Sequence, residues 1–219
     1  MNQTKQKQQI RLLIPPLIVL SNILIFQVSK FLWGAHWGYL AGFCFYWIGW
    51  CLLFSFWFIG PKNIKSIYQN KKDAISPKIG LLIPLLTIFP MMTFIVSFLP
   101  FFREAGIGII LLAFLFALVN GPAEELLWRG ALVAAFPSGI WRGYLYPTLF
   151  FGAWHIAPEL VMPNPLSGGA LSFIGGALVM GFAWGWIAWR SRSILLTTIS
   201  HILTNFFGFV GFIYMNWMR

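Results

Sequence analysis

The sequence predicts an all-α membrane protein: a polytopic bundle of about seven transmembrane helices, forming one integral membrane domain over residues 1–219. Hydrophobic residues make up 59% of the chain and charged residues only 9%, whereas a soluble domain contains about 25% charged residues. This composition leaves too little polar surface for a water-soluble globule. It therefore excludes a soluble enzyme, a disordered tail and a small secreted disulfide scaffold.

The second observation is a series of long apolar runs, separated by charged or turn-forming residues. A spanning helix needs about 20 mainly apolar residues. The runs cover residues 12–29, 33–59, 80–100, 107–134, 144–162, 168–189 and 194–216. The first follows a basic leader but lacks a small-residue cleavage site, so we expect it to remain as a span. The second is long enough to cross at a tilt or to begin as an interfacial segment.

The third observation is the uneven distribution of basic residues among the connections. Eleven of the fifteen lie on one side, in the N-terminal tail and the connections 60–79, 135–143 and 190–193. Only Lys30, Arg103 and Arg219 lie on the other side, and Arg129, the fifteenth, lies within or at the edge of a span. Basic residues favour the cytoplasmic side, so we expect a cytoplasmic N-terminus and a C-terminus on the opposite side. Because these charges lie between spans and not on a soluble face, the expected partner is the lipid bilayer and not a nucleic acid.

Small residues in the apolar runs predict close helix packing. Gly181 and Gly185 have the GxxxG spacing that lets helices approach closely in a bilayer. No GxGxxG or P-loop pattern occurs, so a nucleotide-driven transporter is not supported. Cys44 and Cys51 lie in one apolar run without a metal-ligand spacing, and we interpret them as small buried hydrophobic residues.

Two acidic residues in the fourth run are the first candidates for function, because an ionisable group at the centre of a span costs about 2.5–3.5 kcal/mol on insertion scales. Gly121-Pro122 should break or kink the helix just before Glu124 and Glu125, which would then lie near the positive end of the resumed helix. Glu125 and Arg129 have i, i+4 spacing, and their pairing would leave Glu124 to point elsewhere. An isolated carboxylate suits a general base that activates water. A purely structural ion-pair network is the alternative.

Two of the three histidines lie in later runs. His155 follows Phe151 by four residues, and Asn205 follows His201 by four, so each pair shares a helix face. A lone histidine in a span often only bonds a neighbouring helix. Two histidines, an asparagine and a carboxylate pair on three spans indicate a functional constellation instead.

Other polar residues are weaker candidates. His36 lies among tryptophans, where an interfacial anchoring role is expected. Glu159 lies four residues after His155 and could orient that ring, although a solvated helix end is the simpler interpretation. No GxSxG motif supports serine chemistry.

The three motifs together resemble a known family. Glu124-Glu125-x-x-x-Arg129, Phe151-x-x-x-His155 and His201-x-x-x-Asn205 occur in this order within residues 120–206. They resemble the CPBP or Abi family of intramembrane proteases (CAAX proteases and bacteriocin-processing enzymes), which includes the type II CAAX prenyl endopeptidase. The resemblance implies an all-helical enzyme with a polar cavity open to the cytoplasmic side. The short chain fits a bacterial-type member, so we expect a bacterial plasma membrane.

The resemblance also assigns roles by motif position. The catalytic residues would be Glu124, His155, His201 and Asn205, supported structurally by Glu125, Arg129 and Phe151. Glu124 would activate the attacking water, which His155 would help to bind or orient. His201 and Asn205 would stabilise the tetrahedral oxyanion, a role that suits hydrogen-bond donors.

A metal is the open question within this resemblance. Family members were long described as metalloproteases, and Glu124, His155 and His201 could together ligate zinc. HExxH is absent, however, and asparagine is a poor fourth ligand. A glutamate-activated water without a cofactor is therefore favoured, with zinc as the alternative.

The sequence thus predicts an intramembrane endopeptidase that hydrolyses a peptide bond near the cytoplasmic membrane face. Its partner would be a peptide or membrane-protein substrate: a CAAX-type C-terminus, prenylated or not, a bacteriocin or pheromone leader, or a regulatory membrane protein. The alternative is a non-catalytic scaffold or bacteriocin-immunity protein with the same fold. A scaffold would be expected to lose Glu124 or a histidine, and this sequence keeps all of the motif residues. A proton-coupled carrier lacks the paired broken helices of repeat-built transporters.

Overall fold

A computed structural model describes residues 3–69, 79–135 and 139–218, and these residues contain helices and connections but no strand. The all-α membrane bundle predicted from the sequence is confirmed. Residues 70–78, which make up part of the basic connection, and Arg219 lie outside the described residues.

The first two apolar runs form a helical hairpin. Helix α1, Gln3–Phe45, is interrupted at Gly34, whose backbone (φ 77°, ψ 175°) lies in a region that glycine alone adopts readily. Phe26 before this point packs against Phe43 after it, with ring centroids 5.5 Å apart, so the two arms run antiparallel. The second arm continues as a π-helix, Tyr46–Phe54, and then as α2, Ser55–Ile59.

The later runs are also helical. The elements that follow are α3 (Pro61–Ile67), α4 (Ile79–Thr93) with a π-helical end (Phe94–Phe98), α5 (Phe102–Glu124) with a π-helical continuation (Glu125–Ala134), a π-turn (Trp141–Leu145), α6 (Tyr146–Trp154), α7 (Ile156–Glu159), α8 (Gly169–Ser191) and α9 (Leu195–Trp217). Gly106 (φ 70°, ψ 168°) breaks α5 as Gly34 breaks α1. The fifth predicted run is therefore a set of short helices broken at His155, not one continuous helix.

Four helical stretches of the described residues are long and apolar enough to cross a membrane, which makes this an integral membrane protein. They are Gln9–Ile59, Phe102–Ala134, Gly169–Ser191 and Leu195–Trp217, with a shorter apolar helix at Leu82–Phe98. The first of them contains both arms of the hairpin. The count of seven crossings and the side on which each terminus lies stay predictions.

The helix break expected at Gly121-Pro122 is absent, and that part of the prediction was wrong. The α-helical conformation continues through both residues and changes to π-helical only at Glu125. Gly121 packs so closely on α9 that a Cβ added there would lie 2.9 Å from Ile202. A continuous helix keeps its backbone groups hydrogen-bonded within the bilayer, which offsets the bond lost at Pro122. The two carboxylates consequently do not lie at a helix N-terminus.

Small residues bring α6 and α8 together, as the GxxxG spacing predicts. A Cβ added to Gly181 would lie 3.0 Å from Phe151, and one added to Gly185 would lie 2.8 Å from Thr148. This close approach holds α6, the helix that ends at His155, against α8. The interpretation of the two cysteines holds for Cys51, which is buried, and fails for Cys44, which is exposed.

Candidate active site

The polar residues of the three motifs lie in the interior of the bundle. Glu124 ends α5, Glu125 begins its π-helical continuation, and His201 lies in the first half of α9. All three are buried, with at most 3% of the residue exposed. Such burial is unusual for charged groups unless they are paired.

His201 joins the two carboxylates. Its Nδ1 lies 3.0 Å from Glu125 Oε1, and its Nε2 lies 3.4 Å from Glu124 Oε2. Glu124 takes no part in the Glu125–Arg129 pair, as expected, but it is not isolated, because it faces His201. The two side chains leave the helix in different directions, but the two ring nitrogens also face different directions, so one imidazole meets both.

Arg129 neutralises Glu125, as the i, i+4 spacing predicts. Its Nη1 lies 3.1 Å from Glu125 Oε1, and the guanidinium carbon lies 3.8 Å from the centre of the Phe151 ring. Arg129 also lies near the Trp184 ring, which packs against His201 with centroids 4.7 Å apart. The cation is thus enclosed by aromatic faces, where cation–π attraction is strongest because water is excluded.

His155 lies beside this cluster without bonding to it. Its Nδ1 is 2.8 Å from the Phe151 carbonyl oxygen, so Nδ1 donates and Nε2 of the neutral ring carries no proton. The ring packs against Phe151, Trp154 and Phe173 with centroids 4.8–5.2 Å apart. Among the described contacts, none joins His155 directly to Glu124 or His201.

Asn205 lies one turn after His201 on α9 and lines a cavity of about 280 Å³. Its Nδ2 is buried and has no hydrogen-bond partner among the described atoms. The cavity walls come from the end of α4 and its π-helical continuation, the first half of α8 and the central part of α9, and are mostly apolar. Asn205 therefore connects the site to this mostly apolar cavity.

This cavity extends towards the connection 160–168, which contributes Asn164 and Leu166 to its wall. The opposite end of the site is covered by α3, where the Ile67 carbonyl accepts a hydrogen bond from Ile194 N at 2.8 Å. That covered end contains the described parts of the connections 60–79 and 190–193, which are predicted to be cytoplasmic. The described cavity thus lies on the other side of the site, and an opening towards the cytoplasm stays a prediction.

Tyr68, which follows α3 and lies outside the spans, belongs to this cover. Burial, and to a smaller extent the nearby Glu125 carboxylate, raise the pKa of the Tyr68 hydroxyl. A tyrosine hydroxyl is protonated at neutral pH in any case, and the side-chain partner of Tyr68 is Thr198 on α9. The α3 cover is in this way tied to the helix that provides His201.

Four residues that the sequence analysis missed form two hydrogen-bonded pairs, and one member of each pair interacts with Glu124. Trp47 Nε1 donates to Asn120 Oδ1 at 2.7 Å, and Trp128 Nε1 donates to the Tyr46 hydroxyl oxygen at 2.7 Å. Asn120 and Tyr46 in turn lie against the Glu124 carboxylate. Only Asn120 had a detectable signal, because it precedes Glu124 by four residues on the same helix. The tryptophans and the tyrosine belong to no motif.

The weaker candidates lie away from the cluster. Glu159 is buried, and its Oε2 accepts a hydrogen bond from Asn164 N at 3.0 Å, so it neither orients His155 nor forms a solvated helix end. His36 is exposed, and its Nε2 lies 2.9 Å from the Asn216 carbonyl oxygen. His36 therefore ties the tip of the hairpin to the end of α9.

The zinc ligand set does not assemble in this arrangement. Among the residues that the structure describes, no group of three or more His, Cys, Asp or Glu side chains is placed to hold a metal ion. Glu124 and His201 face each other, but the third predicted ligand, His155, has one nitrogen bonded to the backbone and no contact with the other two. These donors do not fit a tetrahedral zinc site as they stand.

One comparison with known proteins found a match. The family model described as type II CAAX prenyl endopeptidase Rce1-like matches residues 106–207. The matched region contains all three motifs and ends two residues after Asn205. No curated protein and no solved structure matches the chain. The family resemblance predicted from the motifs is confirmed for this region.

Proposed function

We propose that the protein is a membrane endopeptidase in which Glu124 activates water to hydrolyse a peptide bond, and the match of residues 106–207 to the Rce1-like family model supports this proposal. The family supports a membrane peptidase in general. The mechanism and the substrate are inferred from the arrangement of side chains around Glu124.

The observation that carries the proposal is that two buried polar atoms, one on each of two motif residues, have no hydrogen-bond partner in the described part of the chain. Glu124 Oε1 is an acceptor and Asn205 Nδ2 is a donor, and neither has a hydrogen-bond partner among the described atoms. Leaving such a group unsatisfied costs about 1–3 kcal/mol, so a ligand that satisfies both would be bound favourably. A water molecule and the carbonyl oxygen of a peptide need one acceptor and one donor of this kind.

The proposed reaction uses Glu124 twice. Its carboxylate takes a proton from the water while the water oxygen attacks the peptide carbonyl carbon. The resulting oxyanion accepts a hydrogen bond from Asn205 Nδ2. When the C–N bond breaks, Glu124 returns the proton to the leaving amine, which restores the carboxylate.

His201 can donate a hydrogen bond to the oxyanion only in one protonation state. Glu125 is a carboxylate and can only accept, so His201 Nδ1 carries a proton. Nε2 can then donate to an oxyanion only if the ring is an imidazolium. The adjacent Glu125 carboxylate stabilises that positive charge, while Arg129 keeps Glu125 ionised. Glu125 and Arg129 thus act on the reaction through His201.

The cavity beside Asn205 suggests the substrate class. Its largely apolar wall suits a peptide with a bulky apolar group next to the scissile bond. A prenylated CAAX-type peptide, the substrate class named in the family description, is the first choice. Unprenylated leader peptides and membrane-protein segments are the other classes to test, and cleavage near the cytoplasmic face is part of the proposal.

The test is cleavage of labelled peptides, prenylated and unprenylated, by detergent-purified protein and by Glu124→Gln. A general base contributes about 10²–10⁴-fold, so Glu124→Gln should lose at least a hundredfold in kcat while keeping its fold. Glu104→Gln, a change of an exposed carboxylate at the start of α5, is the matched control. Full activity of Glu124→Gln would refute the mechanism.

A non-catalytic scaffold is the competing function, and the same variant separates the two. A scaffold needs the fold but not the carboxylate. A cellular phenotype that Glu124→Gln complements as well as the wild type would therefore favour the scaffold.

A further inference from the structure

We propose that Trp47 and Trp128 position the Glu124 carboxylate through two hydrogen-bond relays, one through Asn120 and one through Tyr46. The inference rests on the proposed function, because it treats Glu124 as the group that activates water. None of these four residues belongs to the three motifs. Each is argued to act through Glu124, so they are positioning residues.

The first relay fixes an amide. The indole Nε1 of Trp47 can only donate, so the Asn120 oxygen must face it, and the two atoms lie 2.7 Å apart. The Asn120 Nδ2 group is thereby turned away from Trp47. Asn120 precedes Glu124 by four residues on α5, so its amide meets the carboxylate on the same face of the helix. Asn120 is buried, and exchange of its oxygen and nitrogen would place two donors face to face.

The second relay fixes a hydroxyl. Trp128 Nε1 donates to the Tyr46 oxygen at 2.7 Å, so the Tyr46 proton must point to another acceptor. The Glu124 carboxylate and the Cys51 sulfur both lie within its reach, and the carboxylate is the stronger acceptor. The Tyr46 ring is fully buried and stacks on Trp154 with centroids 4.0 Å apart. This stacking fixes the ring plane and hence the position of the hydroxyl oxygen. The two relays therefore place one N–H and one O–H donor beside the Glu124 carboxylate.

Two fixed donors have a consequence for catalysis. A carboxylate that is held only by His201 can rotate about its last bond and can move its unpartnered oxygen away from the water. Donors to a carboxylate also stabilise its ionised form, which is the form that acts as a base. Misplacement of a reacting group by about 1 Å can cost on the order of a hundredfold in rate. The relays reduce both losses.

The experiment measures kcat and KM of Tyr46→Phe, Trp47→Phe and Asn120→Ala with the peptide that the wild type cleaves and Glu124→Gln does not. One hydrogen bond to a charged group corresponds to about a tenfold change or more. Each variant should therefore lose about tenfold in kcat with KM within about twofold of the wild type. The acid limb of the pH profile of kcat should move to higher pH in each.

The two relays also predict how the losses in kcat combine in double variants. Trp47→Phe together with Asn120→Ala should be no worse than Asn120→Ala alone, because both changes break the same relay. Trp47→Phe together with Tyr46→Phe should multiply the two losses. The matched control is Trp50→Phe, whose indole in the same π-helix donates to Ser21 Oγ at 3.1 Å and not towards Glu124. It should leave kcat and its pH profile unchanged.

Wild-type kcat and pH profile in Tyr46→Phe and Trp47→Phe, or an equal loss in Trp50→Phe, would overturn the relays while leaving the endopeptidase intact. A second measurement does not depend on activity. The unfolding temperatures in detergent of Tyr46→Phe, Glu124→Gln and the double variant should be non-additive, because the first two changes affect one hydrogen bond. Strict additivity would contradict the contact itself.

Discussion

The buried pair of Glu125 and Arg129 makes a quantitative prediction about stability. Both residues are at most 2% exposed, and the charged atoms lie 3.1 Å apart. Arg129→Met keeps an apolar stem of similar length but leaves the Glu125 carboxylate buried without its counter-ion. Breaking a buried pair in this way costs about 3–5 kcal/mol. The loss of the guanidinium from the Phe151 ring, 3.8 Å away, adds to that cost.

A double variant separates the uncompensated charge from the loss of packing. Glu125→Gln removes the negative charge and keeps an oxygen that can accept from His201 Nδ1. The double variant Glu125→Gln/Arg129→Met should therefore be more stable than Arg129→Met alone, with a coupling of roughly 0.5–3 kcal/mol. Arg103→Met, a change of an exposed arginine at the start of α5, is the control and should change stability by less than about 0.5 kcal/mol.

The assay is unfolding of purified protein in mixed detergent, followed by tryptophan fluorescence and by retention on size exclusion. The free energies of unfolding of the wild type, the two single variants and the double variant form one cycle. A double variant whose loss equals the sum of the single losses would refute the reasoning, because it would mean that the two charges do not stabilise each other. A loss from Arg129→Met as small as that from Arg103→Met would refute it as well.

Three further predictions concern the helix reversals, the α6–α8 contact and the cofactor. Gly34→Ala should destabilise the protein by about 1–3 kcal/mol, because the backbone conformation of Gly34 is almost restricted to glycine. The control is Gly108→Ala, in open space inside α5, which should be neutral or stabilising. Thermal unfolding in detergent compares the two variants. Gly185→Val should push α6 away from α8, because a Cβ there already lies 2.8 Å from Thr148, and should lower both the unfolding temperature and the cleavage rate. A chelator should leave cleavage unchanged, and metal analysis should find less than one zinc per chain; stoichiometric zinc with chelator-sensitive cleavage would contradict the reaction without a metal.

Contacts between residues one helical turn apart can be predicted from the sequence, whereas contacts between residues far apart in the chain cannot. The Glu125–Arg129 pair follows from their spacing alone, since i, i+4 residues meet on a helix. The contact of His201 with both acids brings together residues more than 70 positions apart, and no spacing rule predicts it. The order of the motifs on three spans shows that they belong together, but not which atoms touch.

Hydrophobic periodicity also fails to show where a helix changes its pitch. Glu125 begins a π-helical segment that reads in the sequence as an ordinary apolar helix. Pro122 suggests a break one turn too early, because that expectation neglects how strongly a bilayer favours a continuous hydrogen-bonded backbone. Tyr46 was missed for a different reason: its role depends on a hydrogen bond from Trp128, 82 residues further along the chain.

The contact between His36 and the end of α9 has a consequence for the synthesis of the protein. Glu124 and its positioning residues are translated before His201 and Asn205, so the base exists for some time without the groups that would complete the reaction. The helix that brings those groups also reaches back at Asn216 to the tip of the first hairpin. Insertion of this helix thus completes the site and joins two distant parts of the chain in one event. A nascent chain is therefore expected to be inert towards neighbouring membrane proteins until its bundle is fully assembled.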